Sequence, residues 1–202
     1  MESAFPGNIS LFHLINASAT PNAAVVPVAE ALAEFAPWLV IAILISYWFL
    51  GTLDRRRSLM TAGVALGLGL AVNFSIAFAM YVPRPFELGM GNTLMAHIPE
   101  TSFPSDHVTF LWSLGFGLLA TSPLRGLGVA IAGLGLATAW ARIYLGVHFP
   151  LDMAASFGIS LVSAILARSL SGKLAPVFFQ PVERMNNTLI SAFSRKPKID
   201  ED

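Results

Sequence analysis

The sequence predicts an all-α integral membrane protein with about five transmembrane helices and an amphipathic helix at the N-terminus. Three observations predict it. Hydrophobic residues make up 55% of the 202-residue chain and charged residues only 12%, against about 25% charged in a soluble domain. Mean hydropathy is +0.67. Apolar segments long enough to cross a bilayer recur along the chain, and the polar stretches between them carry most of the ionisable groups.

The elements follow in chain order. The interfacial helix, about 9–17, is built on the apolar patch "ISLFHLIN" at 9–16, with Asn8 or Ser10 as its candidate cap and His13 on it. Pro21, Asn22 and Pro27 are turn signals. The first span covers about 25–51. Glu30 and Glu34 lie one helical turn apart near its start, at headgroup level, and the more apolar Phe35–Leu50 lies deeper. "DRRR" at 54–57 closes it. The second span, 58–82, carries no charge and is long enough for a tilted crossing. Gly63 and Gly67 form a small-xxx-small pair suited to close helix packing. A polar loop precedes the third span, 105–121. "SPLRG" at 122–126 is a turn, the fourth span is 126–144, and the fifth is 150–171. Residues 1–172 thus form one membrane domain, and 173–202 form a more polar tail with a short helix near 181–193.

Charge and composition narrow the function. The formal net charge is zero, which gives no electrostatic case for nucleic acid, and the absence of cysteine excludes disulfides and thiolate metal sites. The first basic residue is Arg55, so no cleavable signal peptide is expected. Of the 12 basic residues, Arg55, Arg56, Arg57, Arg125, Arg168, Lys173, Arg184, Arg195, Lys196 and Lys198 fall on one side of a five-span topology. The positive-inside rule makes that side cytoplasmic, with the tail on it and the N-terminus outside. Arg84 and Arg142 break the pattern, and both border outer loops that carry histidine.

Three stretches meet on that outer side: "PRPFELG" at 83–89, "HIPETSFPSDH" at 97–107 and "ARIYLGVHFPLD" at 141–152. Their residue types suit phosphoryl transfer. Arg84 and Arg142 can bind phosphate oxygens bidentately and counter charge in the transition state. "PSDH" opens a helix, whose first amides favour an anion, and Ser105 adds a hydroxyl donor. Asp106 is a candidate phosphate-site residue. An acid there must point away, cap the helix or pair with an arginine, and capping is the favoured role. His148 and Asp152 share a helical face at i, i+4; the carboxylate sets the ring tautomer, so the other ring nitrogen can attack phosphorus. His107 can protonate the leaving oxygen as a general acid. His97, Glu100 and Thr101 are further candidate substrate contacts, with His97 equally readable as a residue that orders its loop.

These stretches resemble the three motifs of the type-2 phosphatidic acid phosphatase superfamily, shared with vanadium haloperoxidases: K-x6-R-P, P-S-G-H and S-R-x5-H-x3-D. The matching positions are Arg84-Pro85, Pro104-Ser105-Asp106-His107, and Arg142, His148 and Asp152. The family lysine falls at Ala77, its glycine at Asp106 and its third-motif serine at Ala141. "RPF", the run ending at His97 and "SFPSDH" resemble the bacitracin-resistance-type undecaprenyl-diphosphate phosphatases in particular. The resemblance implies that family's helical bundle and a phosphohistidine intermediate at His148. It implies no obligatory metal and leaves a divalent cation open. It also implies a polyprenyl diphosphate substrate, recycled for cell-wall synthesis at the outer face of a bacterial inner membrane. Membrane lipids are the other expected partners, and no nucleic acid is. The alternatives are a phosphatase for another lipid phosphate, such as phosphatidylglycerol phosphate or phosphatidic acid, and a small transporter or proton relay. A haloperoxidase would call for a soluble scaffold.

Overall fold

The structure, a computed structural model, describes residues 6–194, and their regular structure is all helical. Arg195, Lys196 and Lys198 of the basic count lie outside the described residues. The chain forms two compact units, one ending at Arg168 and one starting at Ser169. The first holds α1 (Pro6–Ile15), α2 (Val25–Glu34), α3 (Ala36–Leu50), α4 (Leu53–Ala79), a 3-10 turn at Pro85–Leu88, α5 (Asp106–Leu119), α6 (Arg125–Tyr144) and most of α7 (Pro150–Leu174). The second holds the end of α7, a π-helical turn at Ala175–Phe179 and α8 (Gln180–Ser194).

α5 is the axis of the first unit. It packs on α4 along one side and α6 along another, and Val108, Leu111, Trp112, Leu114 and Leu118 are buried there. The backbones come close: a Cβ on Gly117 would lie 2.7 Å from Ala62 Cα of α4. Gly63 and Gly67, expected to provide this approach, instead face outward with nothing near them. The physical reason is register. Ala62, Ala65 and Gly69 hold the buried stripe of α4, so the intervening glycines turn away from α5. Hydroxyls and amides complete the seam. Asn73 donates to Thr109 Oγ1 at 2.9 Å, Ser113 to Ser160 Oγ at 3.0 Å, and Ser160 to the Thr109 carbonyl at 3.2 Å. Such interhelical bonds satisfy polar side chains in an apolar setting.

Among the described residues, three helical runs are long and apolar enough to cross a membrane: α4, α6 and the run that begins at Pro150. The first expected span, 25–51, is two helices bent by 52°, and counting that pair as one span makes four. Pro37 causes the break. It has no N–H to give the Ala33 carbonyl, and its ring clashes with that carbonyl in a straight helix. The third expected span, 105–121, is the 14-residue α5. At 1.5 Å per residue it is about 21 Å long, and it is sheathed by α4 and α6 within the bundle. Large apolar side chains, among them Trp38, Leu50, Phe78 and Leu136, point outward as lipid-facing residues do.

α1 starts earlier than expected and binds the protein as well as offering an apolar face. Phe12 is fully buried against Phe149, with ring centroids 5.2 Å apart, whereas Leu14 is 81% exposed. Asn8 Oδ1 accepts the Leu151 N–H at 2.9 Å, which caps α7 from a distant element. Asn16 accepts the Asn92 N–H at 2.7 Å and donates to the Asn92 and Tyr144 carbonyls at 2.9 and 3.0 Å. The N-terminal helix therefore fastens both loops on which the sequence motifs sit.

Candidate active site

The loop after α4 is held in place before any chemistry is considered. Val82 pairs with 101–102: its N–H donates to Thr101 Oγ1 at 3.1 Å, and its carbonyl accepts the Ser102 N–H at 2.7 Å. The next residue but one, Arg84, is 3% exposed. Its Nε donates to the Glu100 carbonyl at 3.1 Å, Nη1 to the Val147 carbonyl at 3.1 Å, and Nη2 to the Thr101 carbonyl at 3.3 Å. Nη1 also reaches His148 Nε2 at 3.1 Å. Glu87, on the 3-10 turn, accepts the Arg84 N–H at 2.8 Å and is bound by the Tyr81 hydroxyl. Burial pulls the Arg84 pKa down, and nearby carboxylates led by Asp106 oppose it.

His148 follows a tight turn between α6 and α7. Gly146 takes φ +81°, and a side chain there would strike the Asn92 carbonyl, so glycine fixes the geometry between Arg142 and His148. The imidazole is 1% exposed. An arginine can only donate, so Nε2 is the acceptor and the proton sits on Nδ1. Nδ1–H donates to Asp152 Oδ2 at 3.1 Å. The same oxygen accepts the Phe149 N–H at 2.8 Å and the Ser102 hydroxyl. Burial, then the charges of Arg142 and Arg84, hold the His148 pKa well below the ordinary histidine value. The ring is thus neutral, with its basic lone pair on the side away from Asp152.

Ser102 is fully buried and was not singled out by the sequence. The signal was the string "SFPSDH", which includes it. Ser105 and Asp106 begin α5. Ser105 is the N-cap residue, yet its side chain caps nothing. Its buried Oγ has no hydrogen-bond partner among the described residues, and the same is true of Arg142 Nε. Arg142 is 1% exposed; Nη1 donates to the Ala33 carbonyl at 3.1 Å and Nη2 reaches His97 Nε2 at 3.4 Å. His97 Nδ1 donates to the Ile98 carbonyl at 3.0 Å, and burial lowers the pKa of this ring.

Asp106 pairs with neither arginine directly. Its Oδ1 accepts the His107 N–H at 2.8 Å, one of the free amides at the start of α5, and the His107 Nδ1–H at 2.9 Å. It interacts electrostatically with Arg84, Arg142 and His148. The site therefore holds two imidazole–carboxylate pairs. One is sealed in the protein, and in the other both side chains are partly exposed, at 34% for His107 and 51% for Asp106. The Thr101 hydroxyl is spent on its own loop, and Glu100 offers Arg84 its carbonyl. Among the described residues, no group of three or more His, Asp or Glu side chains is gathered to hold a metal ion.

Buried unpaired donors beside a neutral imidazole are suited to an oxyanion, and on a bundle of apolar helices that chemistry defines a membrane-embedded lipid phosphatase. The chain belongs to the PAP2 superfamily, whose model matches residues 58–175. Over 94% of its length it is 28% identical to the undecaprenyl-diphosphatase BcrC of Bacillus subtilis, of which it covers 97%. Its fold is similar to that of LpxE from Aquifex aeolicus, with a TM-score of 0.69 and 23% identity over 81% of this chain and 96% of that one. It is also similar to a transmembrane PAP2-type phosphatidylglycerolphosphate phosphatase from Bacillus subtilis, with a TM-score of 0.57 and 17% identity over 86% and 87% of the two chains.

Proposed function

We propose that this protein hydrolyses undecaprenyl diphosphate to undecaprenyl phosphate and inorganic phosphate through a phosphohistidine at His148, at the outer face of a bacterial inner membrane. The observation that carries the reading is the tautomer of His148, with Nδ1–H on Asp152 and the Nε2 lone pair on Arg84 Nη1. The name of the Bacillus subtilis relative supports the substrate.

The terminal phosphate takes the Ser105 hydroxyl, Arg142 Nε and Arg84 Nη1, which exchanges the imidazole for a phosphate oxygen. Nε2 attacks in line: a P–N bond forms and the bond to the bridging oxygen breaks. His107, protonated on both ring nitrogens with Nδ1–H on Asp106, gives its Nε2 proton to the departing lipid monophosphate. The neutral ring then takes a proton from water as that water attacks phosphorus. The P–N bond breaks, inorganic phosphate leaves, and both histidines return to their starting states. Asp152 keeps Nδ1 protonated throughout and stabilises positive charge on the ring. Divalent cations are not required by any of these steps.

The test is phosphate release by the detergent-solubilised protein from undecaprenyl diphosphate, phosphatidylglycerol phosphate and phosphatidic acid, with and without chelator. Undecaprenyl diphosphate is expected to be the best substrate, with turnover unchanged by chelator. His148→Ala is expected to abolish release and the acid-labile phosphoenzyme. Substantial activity in that variant removes the nucleophile assignment; preference for another lipid in the panel removes the substrate.

A further inference from the structure

We propose that the break in the first span positions Arg142, which makes Pro37 a positioning residue for phosphate binding; this rests on the phosphatase reading of the site. Pro37 leaves the carbonyl four residues earlier, Ala33, without its helical partner. A buried carbonyl without a donor is costly, so it must find one elsewhere. Arg142 supplies it, with Nη1 3.1 Å from the Ala33 oxygen. One turn earlier on the same face of α6, Thr138 Oγ1 donates to the preceding carbonyl, that of Leu32, at 3.0 Å. Two successive carbonyls next to the break are thus met by two residues spaced i, i+4 on one helix. The helices come near enough because the contact is built from small side chains, Ala29 and Ala33 on α2 against Ala141 on α6.

The consequence reaches the site through the planarity of guanidinium. Once Nη1 is fixed on Ala33 and Nη2 faces His97, the orientation of Nε–H follows, and that donor is the buried one left without a partner. A straight helix in place of the bent pair would return the Ala33 carbonyl to the amide of residue 37 and leave Arg142 free to swing. Displacing a catalytic group by about 1 Å can cost roughly 10²-fold in rate.

The experiment is a double-mutant cycle on the full chain in detergent, with Pro37→Ala and Arg142→Ala singly and together. Turnover is read by phosphate release, and affinity for inorganic phosphate by the thermal shift it produces. Pro37→Ala is expected to lower turnover and phosphate affinity about tenfold while the protein remains monodisperse. In the Arg142→Ala background it is expected to change either value by less than about twofold, since residues acting through one contact are non-additive. Equal factors in both backgrounds, or an unaltered Pro37→Ala protein, overturn the proposal. If Pro37→Ala does not fold, Thr138→Val takes its place in the same cycle with the same criteria. A wild type that binds phosphate yet releases none from any lipid refutes the phosphatase reading, and the binding cycle still decides the role of Pro37.

Discussion

Arg84 bonds three backbone carbonyls and the His148 ring at once. Lysine carries the charge but not the planar fork, so Arg84→Lys is expected to lower turnover by about 10²–10³-fold, in line with the loss of a transition-state donor, and to lower the melting temperature as well. A variant that loses activity with unchanged melting would show that the carbonyl contacts are incidental. Ser102→Ala removes one of three donors to Asp152 Oδ2. Turnover is expected to fall about tenfold with KM little changed, and Ser102→Thr is expected to restore most of it. His148 also sets a pH dependence. Its folded pKa is held down by burial, while the unfolded chain takes up a proton near pH 6.5. The unfolded state therefore binds more protons below that value, and stability falls as the pH drops through it. Thermal melts of wild type and His148→Gln between pH 8 and pH 5, a range of about 3 units centred on that value, should show a steeper acid loss in the wild type. At this scale the sequence was most legible where spacing is local: Arg142, His148 and Asp152 lie on one helix end, the turn after it and one helix start, whereas the need for glycine at 146 appeared only with the fold. Ser102 was hidden because its partner is 50 positions away and loop serines are common. The carbonyls bound by Arg84 were hidden because backbone atoms leave no mark in residue identity.

At the level of the helix, glycine positions separate two roles. Gly117→Ala forces a Cβ within 2.7 Å of Ala62 Cα, and is expected to lower the melting temperature and yield. Gly63→Ala and Gly67→Ala meet open space, and each is expected to be neutral or stabilising by up to about 1 kcal/mol. Thermal denaturation of the three variants in one detergent checks the contrast. The pairing of Gly63 with Gly67 was visible in the sequence, but the direction in which that pair faces depends on the rotation of α4 about its axis. The break in the first span was missed, because apolar continuity through 25–51 points to one helix; Pro37 was the signal that marks it. The role of α1 as a clamp was out of reach, because Asn8 and Asn16 act on residues more than a hundred positions away, Leu151 and Tyr144.

Across the whole molecule, composition made the membrane class legible, and the alternation of spans brought the three motifs to one side. Which helices face lipid was less so: hydropathy cannot tell a sheathed core helix from a lipid-facing one, and α5 is the former. The proposed outward placement of the site rests on the distribution of arginine and lysine, and it can be measured directly because the chain has no cysteine. A single cysteine at Glu100 is expected to react with a membrane-impermeant maleimide added to spheroplasts, and one at Ser122 only after lysis. The reverse pattern would invert the topology. A last consequence follows from the contact between Arg84 and the lone pair of His148. On the proposed mechanism, the idle enzyme keeps its attacking nitrogen sheathed by a cation. Only a ligand with enough negative charge to draw the guanidinium aside uncovers it, so neutral esters and stray electrophiles meet a closed scabbard.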